Sequence, residues 1–214
     1  MKTFFQNNNS NELILFFDGW GMDEKPYAPL KSSSDVLFVY DYNDLTLNFD
    51  FSKYKKIILI AFSAGVFISS FIQDKLPKTD LKIAINGVPN LFDAQKGIPT
   101  NILNEMESIT LENALEFRKK FISEESHLKI FNKNQPLRPL DSSLKELLAL
   151  KKYSAQQTDS IVFDKVIIGD EDEIIPIKNQ ISAWSKYEDT HMLFLEGGHF
   201  LFYLFKIFDE IIDL

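Results

Sequence analysis

The chain has 214 residues, enough for one domain with a full core, and its 45% hydrophobic and 25% charged residues describe a globular rather than a disordered polypeptide. A formal net charge of −8 argues against nucleic acid as the main partner, because phosphate binding needs a basic face. The absence of cysteine excludes disulfides, thiolate zinc sites and a cysteine nucleophile, and it suits a cytoplasmic location.

Met1 to Glu12 carries one lysine and then a polar, Asn-rich run, without the apolar centre of a secretory signal. Short apolar runs follow, at Leu13 to Phe17, Asp35 to Tyr40, Lys56 to Ala61, Leu81 to Asn86, Lys165 to Gly169 and Met192 to Leu195. They are continuous rather than alternating, the pattern of parallel strands covered on both faces. Ala64 to Leu76 reads as an amphipathic helix that stops before Pro77. The recurring βαβ order predicts an α/β fold with a mostly parallel, doubly wound sheet.

From about Ser108 to Asp159 strand signals vanish. Helices are expected over Leu111 to Phe121 and Ser142 to Tyr153, with a loop at Asn132 to Pro139, and the segment reads as a small helical cap inserted into one domain. Phe200 to Leu214 is apolar but interrupted by Lys206, Asp209, Glu210 and Asp213 at helical spacing, which predicts an amphipathic helix closing the fold. No stretch approaches the roughly 20 apolar residues of a membrane span. The 20 phenylalanines fill the core on this reading.

The chemistry concentrates at strand ends. Lys56 to Ala61 runs directly into Phe62-Ser63-Ala64-Gly65 and then a helix, the context of a nucleophile elbow, with Ala61 where the G-x-S-x-G pattern has its first glycine. The same serine would also serve as an ordinary helix N-cap. Of the three histidines, His127 falls in the insert and His191 opens a strand. His199 follows Glu196-Gly197-Gly198 at the end of the last strand, where α/β proteins place functional residues. An orienting carboxylate is available after Gly169, with Asp172 the better fit and Asp170 the alternative. The order Ser63, Asp172, His199 is that of the α/β-hydrolases. Asp18-Gly19-Trp20-Gly21-Met22-Asp23 lets the backbone bend close to a ligand, and the N–H groups of Trp20 and Ala64 are the candidate oxyanion donors. This chemistry needs neither a metal nor a redox cofactor.

The phrases Phe17-Asp18-Gly19-Trp20-Gly21-Met22-Asp23 and Ala61-Phe62-Ser63-Ala64-Gly65-Val66 resemble the BioG-type pimeloyl-[acyl-carrier protein] methyl ester esterases of biotin synthesis. Ala84-Ile85-Asn86-Gly87-Val88-Pro89, Gly97-Ile98-Pro99 and Arg138-Pro139-Leu140 are similar to the same family. The resemblance implies a serine carboxylesterase of α/β-hydrolase fold that removes a methyl group once the carried chain is pimeloyl. It also implies an acidic acyl-carrier protein as partner. Glu116 to Lys152 holds nine Lys and Arg against five Asp and Glu, a basic insert on an acidic body suited to such a partner. Arg118, Lys119 and Arg138 are the candidate contacts. The Ser63, Asp172 and His199 set would equally serve a small-ester carboxylesterase, a thioesterase or an acyltransferase, and a hydrolase fold can also act as a binding protein.

Overall fold

The computed structural model of the chain describes residues 1–156 and 162–214. Its strands are β1 (Lys2–Gln6), β2 (Glu12–Phe17), β3 (Asp35–Tyr40), β4 (Lys56–Phe62), β5 (Leu81–Ile85), β6 (Lys165–Gly169) and β7 (His191–Leu195). They form one sheet in the order β1-β3-β2-β4-β5-β6-β7, parallel except for β1, which runs antiparallel to β3. The helices are α1 (Ala64–Phe71), α2 (Thr100–Glu107), α3 (Ala114–Lys119), α4 (Glu125–Lys133), α5 (Leu140–Ser154), α6 (Ile177–Trp184) and α7 (Phe208–Ile212). No helix among the described residues is long and apolar enough to cross a membrane. The fold is that of the α/β-hydrolases.

The continuous apolar runs are the central strands. Leu13 to Phe17 of β2 and Leu59 to Phe62 of β4 are wholly removed from solvent, so both faces of each strand must be apolar. The chain moves from β2 outward to β3, then jumps back across β2 to β4 and proceeds in order to β7. With right-handed crossovers this reversal sends connections to opposite faces, and the loops after β2 and β4 part to leave a crevice at the carboxyl ends of the strands.

Two regions depart from the sequence reading. The Asn-rich N-terminus contains an edge strand, β1, whose Phe4 and Phe5 stay exposed. Asn9 turns the chain at φ 59°, and Asn8 donates its side-chain amide to the carbonyls of Ser32 and Ser34. The last fifteen residues do not form one helix; Phe202–Leu204 is a 3-10 turn and only Phe208–Ile212 is α-helical. The reason is aromatic packing: Phe200 and Phe202 turn inward against Phe62, and Phe202 stands edge-on to Tyr27 at 4.9 Å. Backbone bonds from Lys31 to Lys206 and from Phe208 to Lys31 hold the next stretch extended.

Smaller differences lie in helix ends. α1 stops at Phe71 and a 3-10 turn over Gln73–Lys75 follows. α3 is shorter than the expected Leu111 to Phe121, and α4 takes Asn132 and Lys133 from the expected loop. α5 matches its expectation within two residues at each end. The expected end of the insert at 159 lies outside the described residues.

Asp35 anchors the turn that joins β1 to β2. Its Oδ1 accepts the N–H groups of Asn8 and Ser10 at 2.8 and 3.1 Å, and its Oδ2 accepts from Lys53 and Tyr54 at 3.1 and 2.9 Å. Burial alone would raise its pKa, but these four donors outweigh burial and hold the carboxyl at about 2, below the ordinary 3.8. A folded value below the unfolded one stabilises the protein fully above 3.8, and that stabilisation is lost as pH falls through about 2. Asp35→Asn should therefore be less stable than wild type at neutral pH, with the gap closing between those two values. Urea unfolding at a series of pH values checks this; a pH-independent gap would contradict it.

Candidate active site

Ser63 sits between β4 and α1 in a conformation that side chains rarely adopt, φ 51° and ψ −118°. Such strain persists only where the surroundings over-determine it. Here the Ser63 N–H donates to Ile85 of the neighbouring strand at 3.0 Å, and its carbonyl accepts from Val66 at 3.1 Å. The tight entry of α1 demands a glycine two residues on: a Cβ on Gly65 would lie 2.2 Å from the Phe17 carbonyl oxygen. The strain turns the hydroxyl toward His199.

Ser63 Oγ lies 2.9 Å from His199 Nε2, and His199 Nδ1 lies 2.8 Å from Asp172 Oδ2. A carboxylate at Nδ1 calls for the proton on that nitrogen, which leaves Nε2 free to accept from the serine. All three side chains are buried, with residue exposures of 6% for Ser63, 5% for Asp172 and none for His199. Asp172 Oδ1 accepts the N–H groups of Ile174 and Ile175 at 2.8 and 2.9 Å, and Oδ2 also accepts from Gln180 at 2.9 Å. Asp170 makes a different contact: it accepts the Gly197 N–H at 3.1 Å and so joins the acid loop to the histidine loop. His191 opens β7 on the exposed edge, and His127 lies in α4, 5.9 Å from the Tyr203 ring. Rings of Phe62 and Phe121 pack on the His199 imidazole, each at 5.1 Å.

Among the described residues, the N–H groups of Trp20 and Ala64 have no acceptor within the protein. Trp20 belongs to the loop after β2. Asp18, fully buried at the root of that loop, accepts the Gly19 N–H at 2.6 Å and the Tyr27 hydroxyl at 2.5 Å. Burial pushes the Asp18 carboxyl well above the usual carboxylate range, while the Tyr27 and Gly19 bonds pull the other way.

An apolar cavity of about 740 Å³, measured to its open mouth, adjoins this centre. Trp20, Met22, Leu111, Phe117 and Phe121 are among its walls. Phe121 both lines the cavity and packs on the imidazole, so a single ring stands between the cavity and His199. Half-buried Arg118 stands at the same cavity, bonded to Gln135 at 2.6 Å, and loss of hydration lowers its pKa from the ordinary guanidinium value. Lys119 is exposed and paired with Glu116 at 2.8 Å. Arg138 departs from its expected place at the surface. Its side chain is only 4% exposed, tied to Glu146 at 2.7 Å and to Asp41 at 3.3 Å, so it presents no charge to a partner. The basic excess of the insert is also partly answered from α2, where Glu105 and Glu107 pair with Lys120 and Lys151.

Residues 1–211 match the model of the pimeloyl-ACP methyl esterase BioG family. The chain belongs to this family. The resemblance carried by the Gly19-Trp20-Gly21-Met22-Asp23 phrase thus extends over nearly the whole chain. The crystal structure of BioG from Haemophilus influenzae superposes with a TM-score of 0.89 at 29% identity, covering 98% of this chain and 99% of that one. A Bacteroides fragilis protein named malonyl-[acyl-carrier protein] O-methyltransferase is 37% identical over 202 residues, which is 88% of this chain. This chain spans only 39% of that relative's length. An esterase from Exiguobacterium antarcticum shares the fold, with a TM-score of 0.65 at 12% identity over 99% of this chain and 91% of that one.

Two buried side chains that hold the candidate site together were given no site role in the sequence reading. Asn86, at φ 42° after β5, donates to the carbonyls of Gly198 and His199 at 3.0 and 2.8 Å and accepts the Gly169 N–H at 2.7 Å. It ties β5, β6 and the histidine loop at one point. Gln180 of α6 spans Asp172 and the Ile175 carbonyl. The signal for Asn86 was its place, an Asn-Gly pair directly after a strand; nothing in the sequence singles out Gln180. Asn86→Ala leaves three buried backbone groups without partners and should cost about 2 to 4 kcal/mol of unfolding free energy. Chemical denaturation checks this, and a loss under about 0.5 kcal/mol, the size of a neutral surface change, would contradict it.

Proposed function

We propose that this chain is a serine carboxylesterase that hydrolyses the methyl ester of a pimeloyl chain carried on acyl-carrier protein, a step of biotin synthesis. The observation that carries the reading is the unbroken line from Ser63 Oγ through His199 to Asp172, set against an apolar cavity. Family membership supports the substrate class.

On this reading the Ser63 oxygen attacks the ester carbonyl carbon, and its proton passes to His199 Nε2. The carbonyl oxygen becomes an oxyanion, received by the Trp20 and Ala64 N–H groups, which have no other acceptor among the described residues. Collapse breaks the bond to the methoxy oxygen, and His199 returns its proton to give methanol. Water, deprotonated by His199, then attacks the acyl-serine, releasing the free carboxylate and restoring the hydroxyl. Asp172 holds the ring in the required tautomer throughout. The helices between 108 and 159 act as a cap: their apolar residues wall the cavity for the acyl chain. Arg118 at the cavity and Lys119 on the exposed face of α3 meet the acidic carrier.

Ser63→Ala should retain the fold and lose activity by a factor on the order of 10⁴ or more; activity within tenfold of wild type would refute the nucleophile assignment. The carrier-bound pimeloyl methyl ester should be turned over with higher kcat/KM than free pimeloyl methyl ester. Arg118→Glu should lower kcat/KM for the carrier-bound ester about tenfold, the size of a close charge reversal, and by more than for the free ester. Equal turnover of carrier-bound and free ester would remove the carrier from the reading. Complementation of a biotin-requiring strain that lacks its own esterase, with wild type beside Ser63→Ala, tests the pathway.

A further inference from the structure

Four consecutive residues of the loop after β2 are each bonded to one short stretch of the insert. The Trp20 indole donates to the Ser143 carbonyl at 2.6 Å. The Gly21 N–H donates to Glu146 Oε2 at 3.0 Å. The Met22 carbonyl accepts from Arg138 Nη1 at 3.4 Å, and the Asp23 carboxylate accepts the Leu137 N–H at 2.8 Å. The loop that carries a proposed oxyanion donor is therefore moulded by residues more than a hundred positions away.

Glu146 is the centre of this mould. It is fully buried on α5. Its Oε1 accepts the Tyr42 N–H at 2.8 Å, while Oε2 takes both Gly21 N–H and Arg138 Nη1, the latter at 2.7 Å. Arg138 is fixed in turn by Asp41. The carboxylate cannot swing without breaking three bonds. On the other side of Trp20, Asp18 holds the Gly19 N–H. The amides flanking Trp20 are thus both committed to buried carboxyl groups. Gly21 stands at φ 72°, so the turn that aims the preceding peptide depends on where its N–H is held.

We propose that Glu146 is a positioning residue for ester hydrolysis: by holding the Gly21 N–H it directs the Trp20 N–H at the oxyanion, so that the insert sets the catalytic power of the centre as well as lining its cavity. This rests on the serine esterase reading above. Its consequence is specific. An insert that only receives the acyl chain is irrelevant to an ester too small to reach the cavity. An insert that shapes the oxyanion hole matters for every ester.

The test uses p-nitrophenyl acetate with wild type, Glu146→Ala and Glu146→Gln. Thermal melts set the assay temperature below each transition. Glu146→Ala should lower kcat about 10- to 100-fold, part of the 10²- to 10³-fold cost of a lost oxyanion donor, with KM within about threefold of wild type. Affinity for a small alkyl boronic acid, which forms a tetrahedral adduct on the serine, should fall in step with kcat; a purely structural role would leave that affinity unchanged in the folded fraction. Glu146→Gln offers one acceptor oxygen where three N–H groups converge and should lose at least about fivefold in kcat, a smaller share of the same donor cost. It decides the matter if the alanine variant does not fold. Wild-type kcat and boronate affinity in either folded variant would overturn the proposal. Fluorophosphonate labelling of wild type separates the two levels: no adduct at Ser63 removes the esterase reading and this inference with it, whereas labelling beside unaffected Glu146 variants removes the inference alone.

Discussion

The close approach of the first turn of α1 to the end of β2 governs this architecture. Gly65 lies against the Phe17 carbonyl so tightly that no side chain fits between them. Because that contact is made, the chain leaving β4 must turn within one residue, and Ser63 takes the strain. The same contact places Ser63 beside the Asp18 to Asp23 loop, which leaves β2 at the point of contact. One steric constraint therefore brings together the hydroxyl and the loop that carries the proposed Trp20 donor. The strain is borne by a sheet of seven strands whose inner members, β2 and β4 among them, are wholly buried over most of their length.

How much of this could be read from the sequence depends on the range of each interaction. Buried parallel strands announce themselves locally, as uninterrupted apolar runs, so β2 to β7 were legible to within a residue or two. The edge strand β1 was not, because four of its five residues are exposed and polar residues follow it, so no buried apolar run marks it. The C-terminus misled for the opposite reason. Its charge spacing is helical, yet Phe200 and Phe202 gain more by joining the rings of Phe62 and Tyr27 than a helix would allow. The residues brought into contact at the centre, Ser63, Asp172 and His199, each carry a local signature: a strand-to-helix turn with small neighbours, an acid after a strand-terminal glycine, and a histidine after paired glycines.

The supporting residues have no such signature. Glu146 reads as one more acid on the polar face of a helix, and Arg138 as one more base in a loop, until the fold buries them together against Asp41. The same burial withdraws Arg138 from any surface role. Only long-range contacts distinguish a paired internal charge from a solvated one, and sequence spacing within the insert cannot supply them. The family-like Arg138-Pro139-Leu140 phrase marked the place without revealing its partner.

Placing acids around a prospective oxyanion hole carries an electrostatic difficulty. A bare negative charge near the site would oppose the charge that develops on the carbonyl oxygen, and in a water-poor interior that opposition is weakly screened. Two buried carboxyl groups nevertheless flank Trp20, and their charge is opposed by different means. Asp18 is pushed by burial toward its protonated form, with one oxygen that has no partner among the described residues and the other accepting from Tyr27 and Gly19. Burial also raises Glu146, but Arg138 opposes that shift and supplies a positive charge in contact with it. Each group thus keeps its ability to accept a backbone N–H, which shapes the loop, while presenting little net charge to the reacting atoms. Arg138 is then explained twice, as a brace for the Met22 carbonyl and as the counter-charge that lets Glu146 stand so close to the hole.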